Sequence, residues 1–128
     1  MTRVRVFKHI FKIHGLLESV RIANKGILYL FLYHRNMRII FMLGIIAFLL
    51  GLAFRLQGIE LVALCITITL VFMAEIFNTA IEMLMNMLTT RYRLRIRLIK
   101  DIAAGTVVLA CLNSIVVAYI LFVRKVFR

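Results

Sequence analysis

Three long apolar segments divide the sequence, and charged residues flank each of them. The segments cover about residues 37–56, 59–88 and 101–123. A helix of about 20 residues crosses the hydrocarbon core of a bilayer. Because that core holds no water to satisfy backbone N–H and C=O groups, segments of this kind are helical there. The pattern therefore predicts three transmembrane helices.

A different pattern precedes the first segment. Its apolar residues recur at spacings of three and four, with basic residues between them: Val6, Phe7, Ile10, Ile13 and Leu17. This spacing is typical of an amphipathic helix that lies on the membrane surface. We predict such a surface helix over residues 1–36, and a single all-α integral membrane domain over residues 1–128.

Composition supports a membrane protein. Hydrophobic residues make up 64% of the chain, more than a soluble fold of this size could bury. The net charge of +12 could indicate nucleic-acid binding, but no groove-reading motif accompanies it, so we expect no nucleic-acid partner. No uncharged N-terminal core with a cleavage site is evident, so we expect no cleaved signal peptide. Cys65 and Cys111 lie inside apolar segments and are predicted to be packing residues.

The distribution of basic residues predicts the topology. Of the 17 Lys and Arg residues, eight precede Ile39 and five lie between residues 91 and 100. The positive-inside rule places the N-terminus and the connection between the second and third segments in the cytoplasm. The C-terminus is then outside, although three basic residues follow Val123.

Four polar side chains interrupt the second apolar segment: Glu75, Asn78, Glu82 and Asn86. Their spacings of three, four and four place them within an arc of roughly 80° on one helix face. We call this face the polar stripe. An ionisable group at such a depth costs about 3 kcal/mol or more unless it is paired or hydrated. Amides alone would serve to join helices, so the two carboxylates indicate a functional site.

Lys100 and Asp101 begin the third segment, and the chain reversal can bring them to the depth of Glu82 or Asn86. Carboxylates and a lysine suit phosphoryl transfer. One carboxylate holds Mg²⁺ against nucleotide phosphates and the other accepts a proton from a hydroxyl group. The stripe also suits a proton or cation path in a small oligomeric channel. The residue types alone leave both alternatives open.

The motif "EIFNTAIE" at Glu75–Glu82, with "KD" at Lys100 and Asp101 and then "AAGTVVLA", resembles the prokaryotic diacylglycerol kinases, which include undecaprenol kinases. The resemblance covers nearly the whole chain. It implies a homotrimer in the bacterial inner membrane, with active sites between subunits at the cytoplasmic face. The implied reaction is the ATP- and Mg²⁺-dependent phosphorylation of a membrane lipid alcohol, diacylglycerol or undecaprenol.

The resemblance also implies roles for individual residues. Glu75 would be the catalytic base for the lipid hydroxyl, and Asn78 would orient the groups around it. Glu82 would bind Mg²⁺. The implied nucleotide-binding residues are Glu82, Tyr92, Arg93, Lys100 and Asp101.

Four positions depart from the family pattern. His34 stands at the position of a second magnesium-binding glutamate and Asn86 at that of an aspartate. The loop motif E-Y-H is "RYR" here, so Arg91 stands in place of a glutamate and Arg93 in place of a histidine. Imidazole is a poor ligand for Mg²⁺. The chain is therefore either a kinase with an altered site or a catalytically degenerate relative that acts as a membrane scaffold or accessory subunit. The kinase is favoured by the motif residues that are retained: Glu75, Asn78, Glu82, Lys100 and Asp101.

Overall fold

The computed structural model describes residues 2–88 and 93–127, with side chains for residues 15–88 and 94–127. These residues form four long helices: α1 (Thr2–Tyr33), α2 (Arg35–Ala53), α3 (Ile59–Met87) and α4 (Arg93–Ala118). A π-helical segment, Tyr119–Val123, and the short helix α5, Arg124–Val126, continue α4. Three helical stretches are long and apolar enough to cross a membrane: Arg35–Ala53, Ile59–Met87 and Leu94–Val126. The all-helical architecture with three such helices is confirmed.

The third membrane-length helix, α4, begins before the apolar segment that predicts it. Helix α4 starts at Arg93, whereas the predicted span starts at residue 101. Arg, Leu and Lys favour helices, so the basic sequence before the apolar segment is helical as well. The hydropathy of a sequence indicates which part of a helix is suited to lipid. It does not indicate where a polar extension of the same helix begins.

Two compact units divide the chain, Met1–Arg35 and Asn36–Arg128. The first unit consists almost entirely of α1, which runs without a break through the apolar sequence "GILYLFLY". Near its end the rings of Tyr29 and Tyr33 pack with their centroids 4.7 Å apart. The location of α1 on a membrane surface stays a prediction.

In the second unit, α2 and α3 pack as an antiparallel pair. The rings of Phe41 and Phe72 meet edge to face, with centroids 5.8 Å apart. Two glycines of α2 allow the helices to approach closely. A Cβ atom at Gly44 would lie 3.0 Å from Cγ2 of Ile68, and one at Gly51 would lie 2.5 Å from Cδ2 of Leu64. Close approach at glycine is a common way for membrane helices to gain packing contacts.

A small apolar core lies at the end of this unit where α2 is followed by α3, which we call the α2–α3 end. It consists of Leu56, Leu64 and Leu121, all nearly inaccessible. The rings of Phe54 and Phe122 add an edge-to-face contact beside it, with centroids 5.2 Å apart. These contacts bring the π-helical segment after α4 against the connection between α2 and α3.

The last turn of α2 closes with a left-handed residue. The N–H of Leu56 donates to the carbonyl of Gly51 at 3.0 Å, and the N–H of Arg55 donates to that of Leu52 at 3.1 Å. This is the Schellman pattern of helix termination, which favours glycine at the position that Arg55 occupies. Arg55 has a φ of 59°, a conformation that costs a residue with a side chain about 1 kcal/mol.

Lys125 ties the three membrane-length helices together at the α2–α3 end. Its Nζ donates to the backbone carbonyl of Arg55 at 2.8 Å. The same Nζ lies 3.3 Å from Oε2 of Glu60, in the first turn of α3. A cation is favourable beside the free carbonyls of a helix C-terminus, and a carboxylate is favourable in a first turn. Lys125 therefore satisfies both helix ends at once.

Four hydroxyl groups within the membrane-length helices bond to their own helix. Each donates to a carbonyl three or four residues earlier: Thr67 to Ala63, Thr69 to Cys65, Thr106 to Ala103 and Ser114 to Cys111. Such bonds satisfy hydroxyl groups where water is scarce. Both cysteines are free and half-buried, which agrees with a packing role.

We expect Gly51→Ala to destabilise the second unit. The new methyl group would push on Leu64, which is only 3% exposed and packs against Leu56 and Leu121. Overpacking of this kind costs about 1 to 3 kcal/mol, measured as a lower melting temperature in detergent micelles. The matched control is Gly105→Ala, where a Cβ meets no atom of the chain within 4 Å. Equal melting temperatures for the two variants would contradict the close approach at Gly51.

We expect Lys125→Met to lower the free energy of unfolding by about 1 kcal/mol, since it removes a hydrogen bond and an ion pair together. Glu60→Gln should have a smaller effect, because Lys125 keeps its bond to the carbonyl of Arg55. Arg124→Met serves as the control, because Arg124 is exposed. Equal losses for Lys125→Met and Arg124→Met would show that the contact contributes nothing. Reversible unfolding in mixed detergent provides the measurement.

Candidate active site

One face of α3 carries all of its buried residues: Leu64, Thr67, Glu75, Thr79 and Met85. At about 100° per residue these positions fall within an arc of roughly 120°. Leu64 packs against Leu121, in the segment that continues α4, so this face is turned towards the third membrane-length helix. The polar stripe falls within the same arc. It therefore lies along the pairing of α3 and α4.

Exposure changes along the polar stripe. Glu75 is 6% exposed and Thr79 is also buried, whereas Asn78 is half-buried. Glu82 and Asn86 are exposed. The stripe thus runs from a buried carboxylate in the middle of α3 to accessible polar groups where α3 ends and α4 begins, which we call the α3–α4 end.

Glu75 is the most unusual member of the stripe. Within the described part of the chain its carboxylate accepts no hydrogen bond and forms no ion pair. A structural carboxylate at this depth would be expected to have a partner. The arrangement therefore favours a carboxylate that acts on a ligand over one that joins helices.

Lys100 reaches the stripe at the α3–α4 end. Its Nζ donates to Oδ1 of Asn86 at 2.6 Å. The chain reversal was expected to bring Lys100 to the depth of Glu82 or Asn86, and the contact with Asn86 agrees with that expectation. The ammonium group of Lys100 thus contacts Asn86, which lies one helical turn after Glu82 and its exposed carboxylate. This combination suits the binding of an anion that carries a metal ion.

Glu82 has the properties of a simple magnesium ligand. Mg²⁺ is often held by one or two carboxylates, with water and substrate phosphates completing its shell. Glu82 offers one accessible carboxylate, and no group of three or more His, Cys, Asp or Glu side chains comes together within the described residues. One accessible carboxylate is compatible with Mg²⁺, and the role of Glu82 as a metal ligand stays a prediction.

Two further predicted site residues are His34 and Asp101. His34 belongs to the first unit, where its N–H donates to the carbonyl of Leu30 at 2.9 Å and its ring lies 6.3 Å from that of Tyr29. Its role as a metal ligand stays a prediction. Asp101 is exposed and makes no hydrogen bond or ion pair to another described residue.

The connection between α3 and α4 carries two further predicted residues. Tyr92 lies outside the described residues. Arg93 opens α4, and its side chain is likewise outside them. Their contacts with a nucleotide stay predictions.

Asn86 has no predicted role in the site. It belongs to the polar stripe by spacing, but an amide in a helix is compatible with simple helix pairing. Only the folded chain identifies Lys100 as its partner. The available signal was the position of Asn86 in the same stripe, one turn after Glu82.

Comparison with known proteins gives the family of the chain. The family described as prokaryotic diacylglycerol kinase matches residues 21–122, which include α2, α3, α4 and all of the polar stripe. The chain belongs to this family. The family assignment and the three membrane-length helices together support a multi-pass membrane protein.

A curated relative of this diacylglycerol kinase family member comes from Synechocystis sp. and is named diacylglycerol kinase. It is 33% identical over 104 residues, which cover 80% of the present chain and 59% of the relative. The aligned part thus spans about three-fifths of that relative's length. No solved structure matches the chain.

We expect Glu75→Leu to raise the stability of the purified protein by about 1 kcal/mol, because it replaces a buried, unpaired carboxylate with an apolar side chain. A higher melting temperature in detergent micelles would register the change. The control Glu82→Leu removes an exposed carboxylate of the same face and should change stability by about 0.5 kcal/mol or less. A lower melting temperature for Glu75→Leu would indicate that Glu75 holds the helices together.

Proposed function

We propose that the protein is a lipid kinase that transfers the γ-phosphate of Mg-ATP to the hydroxyl group of a membrane lipid alcohol, diacylglycerol or undecaprenol. The observation that carries this proposal is the buried carboxylate of Glu75, on the α3 face that also holds the exposed carboxylate of Glu82. Membership of the prokaryotic diacylglycerol kinase family supports the reaction class. The curated relative's name supports diacylglycerol as one acceptor.

In the proposed reaction, Glu75 accepts the proton of the lipid hydroxyl as its oxygen attacks the γ-phosphorus. The bond between that phosphorus and the β,γ-bridging oxygen breaks, and ADP leaves. Glu75 is only 6% exposed and lies on the α3 face that is turned towards α4, which suits a base for an alcohol that approaches from the bilayer. Asn78, half-buried and one turn from Glu75, orients the reacting groups.

The other half of the proposed site binds the nucleotide. Lys100 contributes a cation for the phosphate oxygens, and Asp101, Tyr92 and Arg93 make further contacts. Glu82 would hold Mg²⁺, since a single protein carboxylate is sufficient for this ion. The ion would supply positive charge that favours phosphoryl transfer.

We further propose that the protein works as a homotrimer in the bacterial inner membrane, with its N-terminus and the α3–α4 end in the cytoplasm. Most large apolar side chains of α2, α3 and α4 are exposed on the single chain, which leaves them available to lipid or to neighbouring copies. The basic residues before Ile39 and between residues 91 and 100 support the orientation, because such residues favour the cytoplasmic side.

The test is phosphate transfer from ATP by the purified protein in lipid bicelles, with diacylglycerol and undecaprenol offered separately. We expect Mg²⁺-dependent transfer to at least one of these lipids. Glu75→Gln should lower the rate by about 100-fold or more, because it removes the proton acceptor while keeping the size of the side chain. Glu60→Gln, which alters a carboxylate at the α2–α3 end, should retain the activity.

Two results would contradict the proposal. Absence of transfer to both lipids by a folded, wild-type protein would favour a scaffold or accessory role. Ion conduction through liposomes without ATP, lost in Glu75→Gln, would favour a channel built on the polar stripe.

A further inference from the structure

A side-chain hydrogen bond joins α3 to α4 at the α3–α4 end. Lys100, in the second turn of α4, donates from Nζ to Oδ1 of Asn86, in the last turn of α3, at 2.6 Å. An amide oxygen accepts a hydrogen bond from an ammonium group but carries no net charge. The bond therefore holds the ammonium group of Lys100 in place without neutralising its positive charge.

The carboxylates close to this pair in sequence leave the lysine charge uncompensated. Glu82 precedes Asn86 by one helical turn and Asp101 follows Lys100 directly, yet neither forms an ion pair with Lys100 in the described part of the chain. Lysine has three N–H donors, and one of them is used by Asn86. Two donors and a full positive charge remain for an anion.

We propose that Asn86 is a positioning residue that fixes the ammonium group of Lys100 at the α3–α4 end and keeps its charge available for nucleotide phosphate. The inference rests on the proposed function. A lysine side chain without a partner samples many rotamers. A hydrogen bond that selects one rotamer lowers the entropic cost of binding a phosphate. A carboxylate at position 86 would also select that rotamer, but it would form an ion pair and compete with phosphate oxygens for the ammonium group.

Variants at position 86 separate positioning from charge. The experiment measures equilibrium binding of Mg-ATP to the full-length protein in bicelles, together with kcat and KM for lipid phosphorylation. Asn86→Ala should raise the Kd for Mg-ATP about 10-fold, because it removes a hydrogen bond to a charged group. Asn86→Asp should raise it by at least about 10-fold and flatten its dependence on salt, because the ion pair cancels one positive charge. Asn86→Gln, which keeps the amide, should retain most of the affinity.

A double-mutant cycle tests whether Asn86 acts through Lys100. Lys100→Met removes the cation, and in that background Asn86→Ala and Asn86→Asp should change the Kd by about 2-fold or less. The change in wild type should fall mainly on the KM for ATP, with kcat less affected. Asn113→Ala removes an exposed amide elsewhere on α4 and should leave both constants unchanged.

The outcomes distinguish this inference from the proposed function. If the wild type binds Mg-ATP and phosphorylates lipid, but Asn86→Ala and Asn86→Asp bind Mg-ATP as tightly, the inference is wrong and the kinase stands. Equal effects of the variants with and without Lys100 would also overturn it, since Asn86 would then act independently. A folded wild type that neither binds Mg-ATP nor transfers phosphate would overturn the proposed function, and the inference with it.

Discussion

Inside a bilayer every polar group has to find its partner within the protein, and this requirement determines much of the structure. The hydroxyl groups of Thr67 and Thr69 donate to carbonyls of their own helix, and Lys125 satisfies the ends of two helices at the boundary of the apolar region. Glu75 differs from them, because it is only 6% exposed and its carboxylate has no hydrogen-bond or ion-pair partner among the described residues. A chain that keeps a carboxylate against that cost has a use for it other than folding.

Stability and candidate chemistry lie at opposite ends of the same helices. The core of Leu56, Leu64 and Leu121 lies at the α2–α3 end, while the polar stripe extends to the α3–α4 end. Helix α3 contributes to both. Substitutions at separate, non-contacting sites usually have independent effects on stability. Residues at the α3–α4 end can therefore change the chemistry of the site while the packing at the other end keeps the helices together.

The bilayer also explains which features were predictable from sequence. It imposes both helical conformation and a minimum length, so apolar segments alone predicted α2, α3 and most of α4. The polar stripe followed from spacing, because position on a helix face is a local property. The start of α4 at Arg93 was not predicted, since basic residues in water leave no hydropathy signal. The bond between Lys100 and Asn86 and the left-handed Arg55 were not predicted either, because each depends on geometry formed only in the folded chain.

The departures from the family pattern that the resemblance implies would all change charge in one direction. With histidine neutral, a glutamate replaced by His34, an aspartate replaced by Asn86 and a histidine replaced by Arg93 would each add one positive charge. Fewer carboxylates mean fewer ligands for a hard cation, whereas more cations attract the phosphates themselves. Lys100, held by an uncharged amide at 2.6 Å, is the described example of this shift. For a lipid kinase of this composition, recognition of the nucleotide would rest more on direct cation–phosphate contacts and less on a metal bridge.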